Sequence, residues 1–161
     1  NAHVVIVGGD DVSYGSRPKG GGSWREAMLS EVGAMPANVH FTGRIPYDQY
    51  LALLQVSSVH LYLTYPFVLS WSMLEAMAAG AFVVGSNTPP VAEVIEENIN
   101  GWLVDFFDIA QIADRVAMAL AMRDQQEALR AQARQTVIDR YDLKACIAKQ
   151  TALIKAAVNR N

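Results

Sequence analysis

Glu75 is the side chain around which the chemistry of this sequence gathers. It stands in Ser70-Trp71-Ser72-Met73-Leu74-Glu75-Ala76-Met77-Ala78-Ala79-Gly80, a run of helix formers between capping serines and a glycine stop. Either Ser70 or Ser72 suits the N-cap. A carboxylate in the early turns of such a helix accepts two hydrogen bonds at once, which suits vicinal hydroxyls such as those of a ribose. The helix start adds free N–H groups and a positive dipole end, and the hydroxyls of Ser70 and Ser72 add donors, a setting that favours a diphosphate. Taken alone, Glu75 also reads as an ordinary solvated helix carboxylate.

Other chemistries find little support. His3, His40 and His60 fall at or inside strands, far apart in sequence, and read as core or strand-edge histidines. Cys146, the single cysteine, excludes an internal disulfide and a multi-cysteine zinc site, and its place on the apolar face of the last helix predicts a buried, inert thiol. There is no H-E-x-x-H, no G-x-S-x-G, no G-x-G-x-x-G after the first strand and no Walker pattern. Asp10-Asp11 and Asp105 with Asp108 do not form D-x-D, so no divalent-metal diphosphate site is expected.

The elements that must position Glu75 follow from the apolar runs. His3–Val7, Val39–Thr42, Val59–Leu63, Ala81–Gly85 and Trp102–Val104 are short and apolar, as strands covered on both faces are. Helices alternate with them. Ser23 with Glu26 is a capping box for a helix that Gly33 ends, and Pro46 opens a helix over Tyr47–Val56. A further helix is expected from Pro89 to about Glu97, followed by a turn at Asn98–Gly101. Asp108 with Gln111 and Asp124 with Glu127 then predict two capping boxes, and a last helix starts at Leu143. The pattern is α/β, a doubly wound, Rossmann-like parallel sheet of about five strands with a C-terminal helical tail. Ligands bind at the carboxyl ends of such strands, which here places the loops Gly8–Gly22, Gly43–Pro46, Thr64–Trp71 and Ser86–Pro90 at one rim.

Composition sets the bounds. The 161 residues are 52% hydrophobic and 18% charged, enough for a sizeable core and against disorder. A formal net charge of -3 gives no reason to expect a nucleic-acid partner. No apolar run approaches the roughly 18 residues that span a bilayer, and the N-terminus has no signal-peptide pattern.

From Val39 to Asp108 the chain resembles the nucleotide-sugar-binding C-terminal lobe of GT-B glycosyltransferases, those of glycosyltransferase family 4 in particular. The residues that carry the resemblance are Val39-His40-Phe41-Thr42-Gly43-Arg44-Ile45-Pro46, Leu74-Glu75-Ala76-Met77-Ala78-Ala79-Gly80 with Val83-Val84-Gly85-Ser86, Glu93, and Asn100-Gly101-Trp102-Leu103-Val104. It implies an enzyme that transfers a sugar from a uridine- or guanosine-diphosphate donor, retaining configuration and using no metal or other cofactor, in polysaccharide or glycolipid synthesis. Glu75 takes the second acid of the family's E-x7-E motif, the ribose ligand. Gly43, Arg44 and Ile45 match the segment that holds the base, and Ser70, Trp71 and Ser72 would face the diphosphate. The first acid of the motif is replaced by Phe67, so contacts to the donor sugar or phosphate pass to Phe67, Val68, Leu69, Ser70 or Lys19. Arg17 and Arg44 are further cations for the diphosphate. Phe67 also motivates an alternative reading, a non-catalytic nucleotide-sugar-binding or assembly module. The chain is expected to be a single domain and a piece of a longer cytoplasmic enzyme. Its N-terminal acceptor lobe would be the partner that closes on the donor and would make any peripheral membrane contact.

Overall fold

The computed structural model describes residues 2–10, 12, 15–65 and 67–159. The chain resolves into two compact units, Asn1–Tyr50 and Leu51–Asn161.

The first unit holds β1 (Val4–Val7), α1 (Trp24–Val32) and β2 (Val39–Gly43), and the helix α2 (Tyr47–Val56) begins in it. β1 and β2 run parallel, with a register shift between Ile6 and Val7 that brings Val7 opposite Gly43. Gly43 takes a positive φ of 67°, a conformation open to glycine, and its carbonyl accepts the Gly8 N–H at 3.0 Å. The capping box of α1 is present as expected: the Ser23 hydroxyl accepts the Glu26 N–H and the Glu26 carboxylate accepts the Ser23 N–H. Those bonds to Ser23 hold the Glu26 carboxyl below its ordinary pKa. β1 departs from expectation. Val4, Val5 and Ile6 are 40–47% exposed, because in this unit a two-stranded ladder and one short helix cannot cover both faces of a strand.

The second unit is built on a parallel ladder in the order β3-β4-β5, from β3 (His60–Tyr62), β4 (Val83–Ser86) and β5 (Trp102–Val104). The crossovers are α3 (Trp71–Ala79) and the single turn α4 (Pro89–Ala92), and α5 (Ile109–Ala121), α6 (Glu127–Tyr141) and α7 (Leu143–Val158) close the chain. β4 is buried along its whole length, as a central strand covered on both faces should be. Phe82 meets Trp102 edge to face at 5.1 Å, and these rings pack with Val84, Val104 and Ala119 into a core that Ile112, Met122 and Leu129 extend. The fold class is therefore α/β with parallel strands. Five strands are present among the described residues, and their hydrogen bonds fall into two ladders.

Four local expectations are revised. α4 stops at Ala92, because the Asn100 side chain takes backbone groups that a longer helix would use. Its Oδ1 accepts the Glu96 N–H at 2.8 Å and its amide donates to the Val94 carbonyl at 2.9 Å and to Thr136 Oγ1 at 3.1 Å. Asp108 caps α5 through the Gln111 N–H, but the Gln111 side chain accepts from Asp105 rather than closing the box. α6 starts after Gln126, not at an Asp124 cap: Arg123–Gln125 is a 3-10 turn, and buried Gln126 donates to the Ala119 carbonyl. Cys146 is half-buried, since no residue of α7 is fully buried.

α6 fixes α3 from behind. The Arg130 guanidinium donates to the carbonyls of Gly80 (3.2 Å) and Ser58 (2.6 Å) and to Gln126 Oε1 (3.1 Å). Arg134 adds a bond to the Ala78 carbonyl. Cations at the last carbonyls of a helix satisfy orphan acceptors and complement its negative end. Burial, with Arg123 nearby, lowers the Arg130 pKa from its ordinary value.

Candidate functional site

Met73, Ala76 and Met77 point α3 into the core of the second unit, so Trp71, Ser72 and Glu75 lie on its more open side. Trp71 and Glu75 are one turn apart and share a face. Glu75 is half-buried in the second turn, and Gly80 ends the helix in the left-handed conformation, φ 83°, as the sequence predicts.

Two anchors fix the segment before α3. At its start, the Ser86 hydroxyl on β4 donates to the Thr64 carbonyl at 2.9 Å and accepts the Thr64 N–H at 3.0 Å. At its end, the Tyr62 hydroxyl on β3 accepts the Ser70 N–H at 2.9 Å. Ser70 is the N-cap of α3: its hydroxyl accepts the Ser72 N–H at 3.3 Å, and the Ser72 hydroxyl donates to it at 3.1 Å. The Met73 N–H bonds the Ser70 carbonyl at 3.3 Å. The cap is thus satisfied from within, and an anion at this helix start meets the dipole and the serine pair rather than a full set of free amides. Between the anchors, Phe67 and Val68 are exposed, Leu69 is half-buried, and Trp71 is 76% exposed at the first helical position.

The remaining sequence candidates belong to the first unit. Gly43, Arg44 and Ile45 follow the bulged end of β2. The Arg44 guanidinium lies over Gly9, where a Cβ would come within 2.8 Å of Nε. Lys19 and Arg17 are exposed in the glycine-rich loop. Asp10 pairs with Arg25 at 3.4 Å, so its carboxylate is committed to the scaffold. Asp11 lies outside the described residues.

Sequence reasoning passed over two features. His3 and His40, read as unrelated, are brought together by β1 and β2, ring on ring at 5.2 Å with Nδ1 and Nε2 2.9 Å apart. Strand register could have signalled this, since Val4 pairs with Val39. The second is an aromatic pocket of about 270 Å³ in the other unit, lined by Tyr65, Asn87, Thr88, Asp105, Phe106 and Phe107. Those residues fall on the loops after β3, β4 and β5, which the βαβ topology gathers at one end. Among the described residues no group of three or more His, Cys, Asp or Glu is placed to hold a metal ion. No helix among them is long and apolar enough to cross a membrane.

The family model for glycosyl transferases group 1 matches residues 1–136. The chain belongs to that family. The fold of this group 1 glycosyltransferase domain is that of GT-B enzymes. It superposes on Anabaena HepE in complex with UDP with a TM-score of 0.77 at 18% identity, covering 97% of this chain and 41% of HepE. Sucrose-phosphate synthase from Thermosynechococcus elongatus gives 0.78 at 22% identity, covering 98% and 39%. The C-terminal domain of LpcC, a group 1 protein from Francisella tularensis, gives 0.63 at 20% identity, covering 73% and 60%. The group 1 domain spans about two fifths of the length of the first two structures. No curated protein matches it.

Proposed function

We propose that this domain is the donor-binding, C-terminal lobe of a family 4 glycosyltransferase. It takes a uridine- or guanosine-diphosphate sugar and passes the hexose to an acceptor with retention of configuration and without a metal ion. The observation that carries this reading is Glu75, on the open side of α3 one turn beyond the Ser70 cap, in a chain of the glycosyl transferases group 1 family. Glu75 holds the ribose through its vicinal hydroxyls. Ser70, Trp71 and Ser72 face the diphosphate. The positive end of α3 and these side chains stabilise the departing nucleoside diphosphate, the step in which negative charge develops.

Gly43, Arg44 and Ile45 are assigned to the base on the family resemblance. HepE structures with UDP and with UDP-glucose favour uridine for this chain as well. Phe67, in the place of the family's first acid, passes the donor-sugar contact to Val68, Leu69 or the Ser70 hydroxyl. An N-terminal lobe of the same protein supplies the acceptor site and any peripheral membrane contact, and the enzyme is cytoplasmic. Phe67 alone favours a non-catalytic binding module, a reading that turnover of any nucleotide sugar by the full-length protein eliminates. The direct test is titration of this chain with UDP, GDP and ADP, with and without magnesium.

A further inference from the structure

We propose that His3 and His40 together form a binding site for a late first-row divalent metal ion, Cu²⁺ foremost, held between two imidazoles. The site lies at the amino-terminal end of the β1–β2 ladder, opposite the end at which Gly43 stands. Nothing in the glycosyl-transfer reading calls for it, and the site stands or falls independently of that reading.

Strand register builds the pair. β1 and β2 run parallel, with Val4 opposite Val39 and Val5 opposite His40. His3, two residues before Val5, shares a face of the ladder with His40. The backbone around the pair is fixed: the Val4 N–H donates to the Asn38 carbonyl at 2.9 Å, and the Asn38 side-chain amide donates to the Ala2 carbonyl at 2.7 Å. Two residues 37 positions apart in sequence are thus held with His3 Nδ1 and His40 Nε2 2.9 Å apart.

That spacing suits two ligands of one ion. Nitrogens about 2.0–2.1 Å from a metal ion and at right angles around it lie about 2.9 Å apart, the geometry of tetragonal Cu²⁺ and Ni²⁺. In the metal-free chain one proton bridges the two nitrogens in an N–H···N bond. When the ion enters, that proton moves to the other nitrogen of its own ring, so both imidazoles stay neutral and both lone pairs face the metal. Both residues are exposed, and the Cβ–Cγ torsion of an imidazole is broad, so each ring can turn its lone pair from its partner to a shared ion. Imidazole binds Cu²⁺, Ni²⁺ and Zn²⁺, of which Cu²⁺ is held most tightly, whereas Mg²⁺ and Ca²⁺ take oxygen ligands. Two protein ligands leave the other positions to water, in keeping with the absence of any group of three or more His, Cys, Asp or Glu among the described residues. The unfolded chain keeps the two imidazoles apart, so a bound ion acts as a clasp between β1 and β2.

Titration of this chain with Cu²⁺, followed by electron paramagnetic resonance and by urea unfolding, tests the site, with Mg²⁺ as the control ion. The expected result is one ion per chain with two imidazole nitrogens in its spectrum, and an unfolding midpoint that rises with Cu²⁺ and not with Mg²⁺. His3→Ala and His40→Ala, each first shown to unfold cooperatively without metal, should both lose the second nitrogen. Each should weaken binding by about tenfold or more, the least that even an outer partner of a metal ligand is worth. His60→Gln should change neither readout. Binding that survives His40→Ala undiminished would place the ion on His3 and its neighbouring backbone and overturn the pair. Binding that both single variants retain, or no stabilisation at Cu²⁺ concentrations that saturate the spectrum, overturns it as well.

Discussion

The Tyr62 hydroxyl accepts the Ser70 N–H at 2.9 Å, and through this bond β3 holds the residue that caps α3. Between them Phe67 and Val68 are exposed, and Trp71 just after the cap is exposed as well. The two ends of this segment are fixed by Tyr62–Ser70 and Ser86–Thr64. A loop that must receive a ligand and still start a helix in one place is well served by that arrangement.

Tyr62→Phe therefore removes one half-buried hydrogen bond and little else. It should cost about 1 kcal/mol in urea denaturation and raise hydrogen exchange at the Ser70 amide well beyond that of the core. Exchange at Ser70 equal to wild type would show that the loop is held by other means.

Two glycines of the second unit make opposite demands. A Cβ at Gly85 would come within 2.9 Å of Val91 Cγ1 and 3.0 Å of Ile95 Cδ1, whereas Gly80 has open space and a left-handed φ. Gly85→Ala should cost about 1–3 kcal/mol through overpacking of α4 on β4. Gly80→Ala should cost about 1–2 kcal/mol through backbone strain. Adding Val91→Ala should offset part of the first loss and none of the second. Strict additivity of Gly85→Ala with Val91→Ala in a double-mutant cycle contradicts the contact.

Arg130 holds the carboxyl end of α3 and the residues after α2 through the carbonyls of Gly80, Ser57 and Ser58. Arg130→Met keeps much of the stem and removes the fork. It should lower stability by about 1.5–3 kcal/mol, the range for hydrogen bonds from a charged group, and Arg130→Lys should recover only a part of this. A Lys variant as stable as wild type would argue that charge, not the forked geometry, is what matters.

His60 on β3 has its pKa lowered from 6.5 by burial. A lowered histidine pKa means that the unfolded chain binds the proton first, so stability is full above about pH 6.5 and falls as pH drops through the folded value. Unfolding followed by denaturant between pH 8 and pH 5 should show that loss, and His60→Gln should flatten it. An equal slope in the variant places the pH dependence on other groups.

The sequence made α3 legible because each of its signals is local: a serine cap, a buried stripe at helical spacing and a glycine stop lie within Ser70–Gly80. β4 and β5 were legible for the same reason. The short α4 was not, because the residue that ends it, Asn100, acts from beyond the turn and through Thr136 on α6. The start of α6 was misplaced because buried Gln126, not Asp124, fixes it by reaching Ala119. Phe67 could be seen to replace an acid, yet nothing in its neighbours showed that Tyr65, two residues earlier, meets Phe106 and Phe107. That cluster joins residues 41 and 42 positions apart, a relation that only the parallel order β3-β4-β5 creates.

The proposed function turns on Glu75 holding the ribose of a nucleoside diphosphate. Calorimetric titration of UDP into wild type and into Glu75→Gln, in magnesium-free buffer, tests it most directly. Metal-independent binding is expected in wild type, weakened by about 1–3 kcal/mol in Glu75→Gln, with the variant confirmed folded by a cooperative urea transition. Equal UDP affinity in a folded Glu75→Gln protein would contradict it.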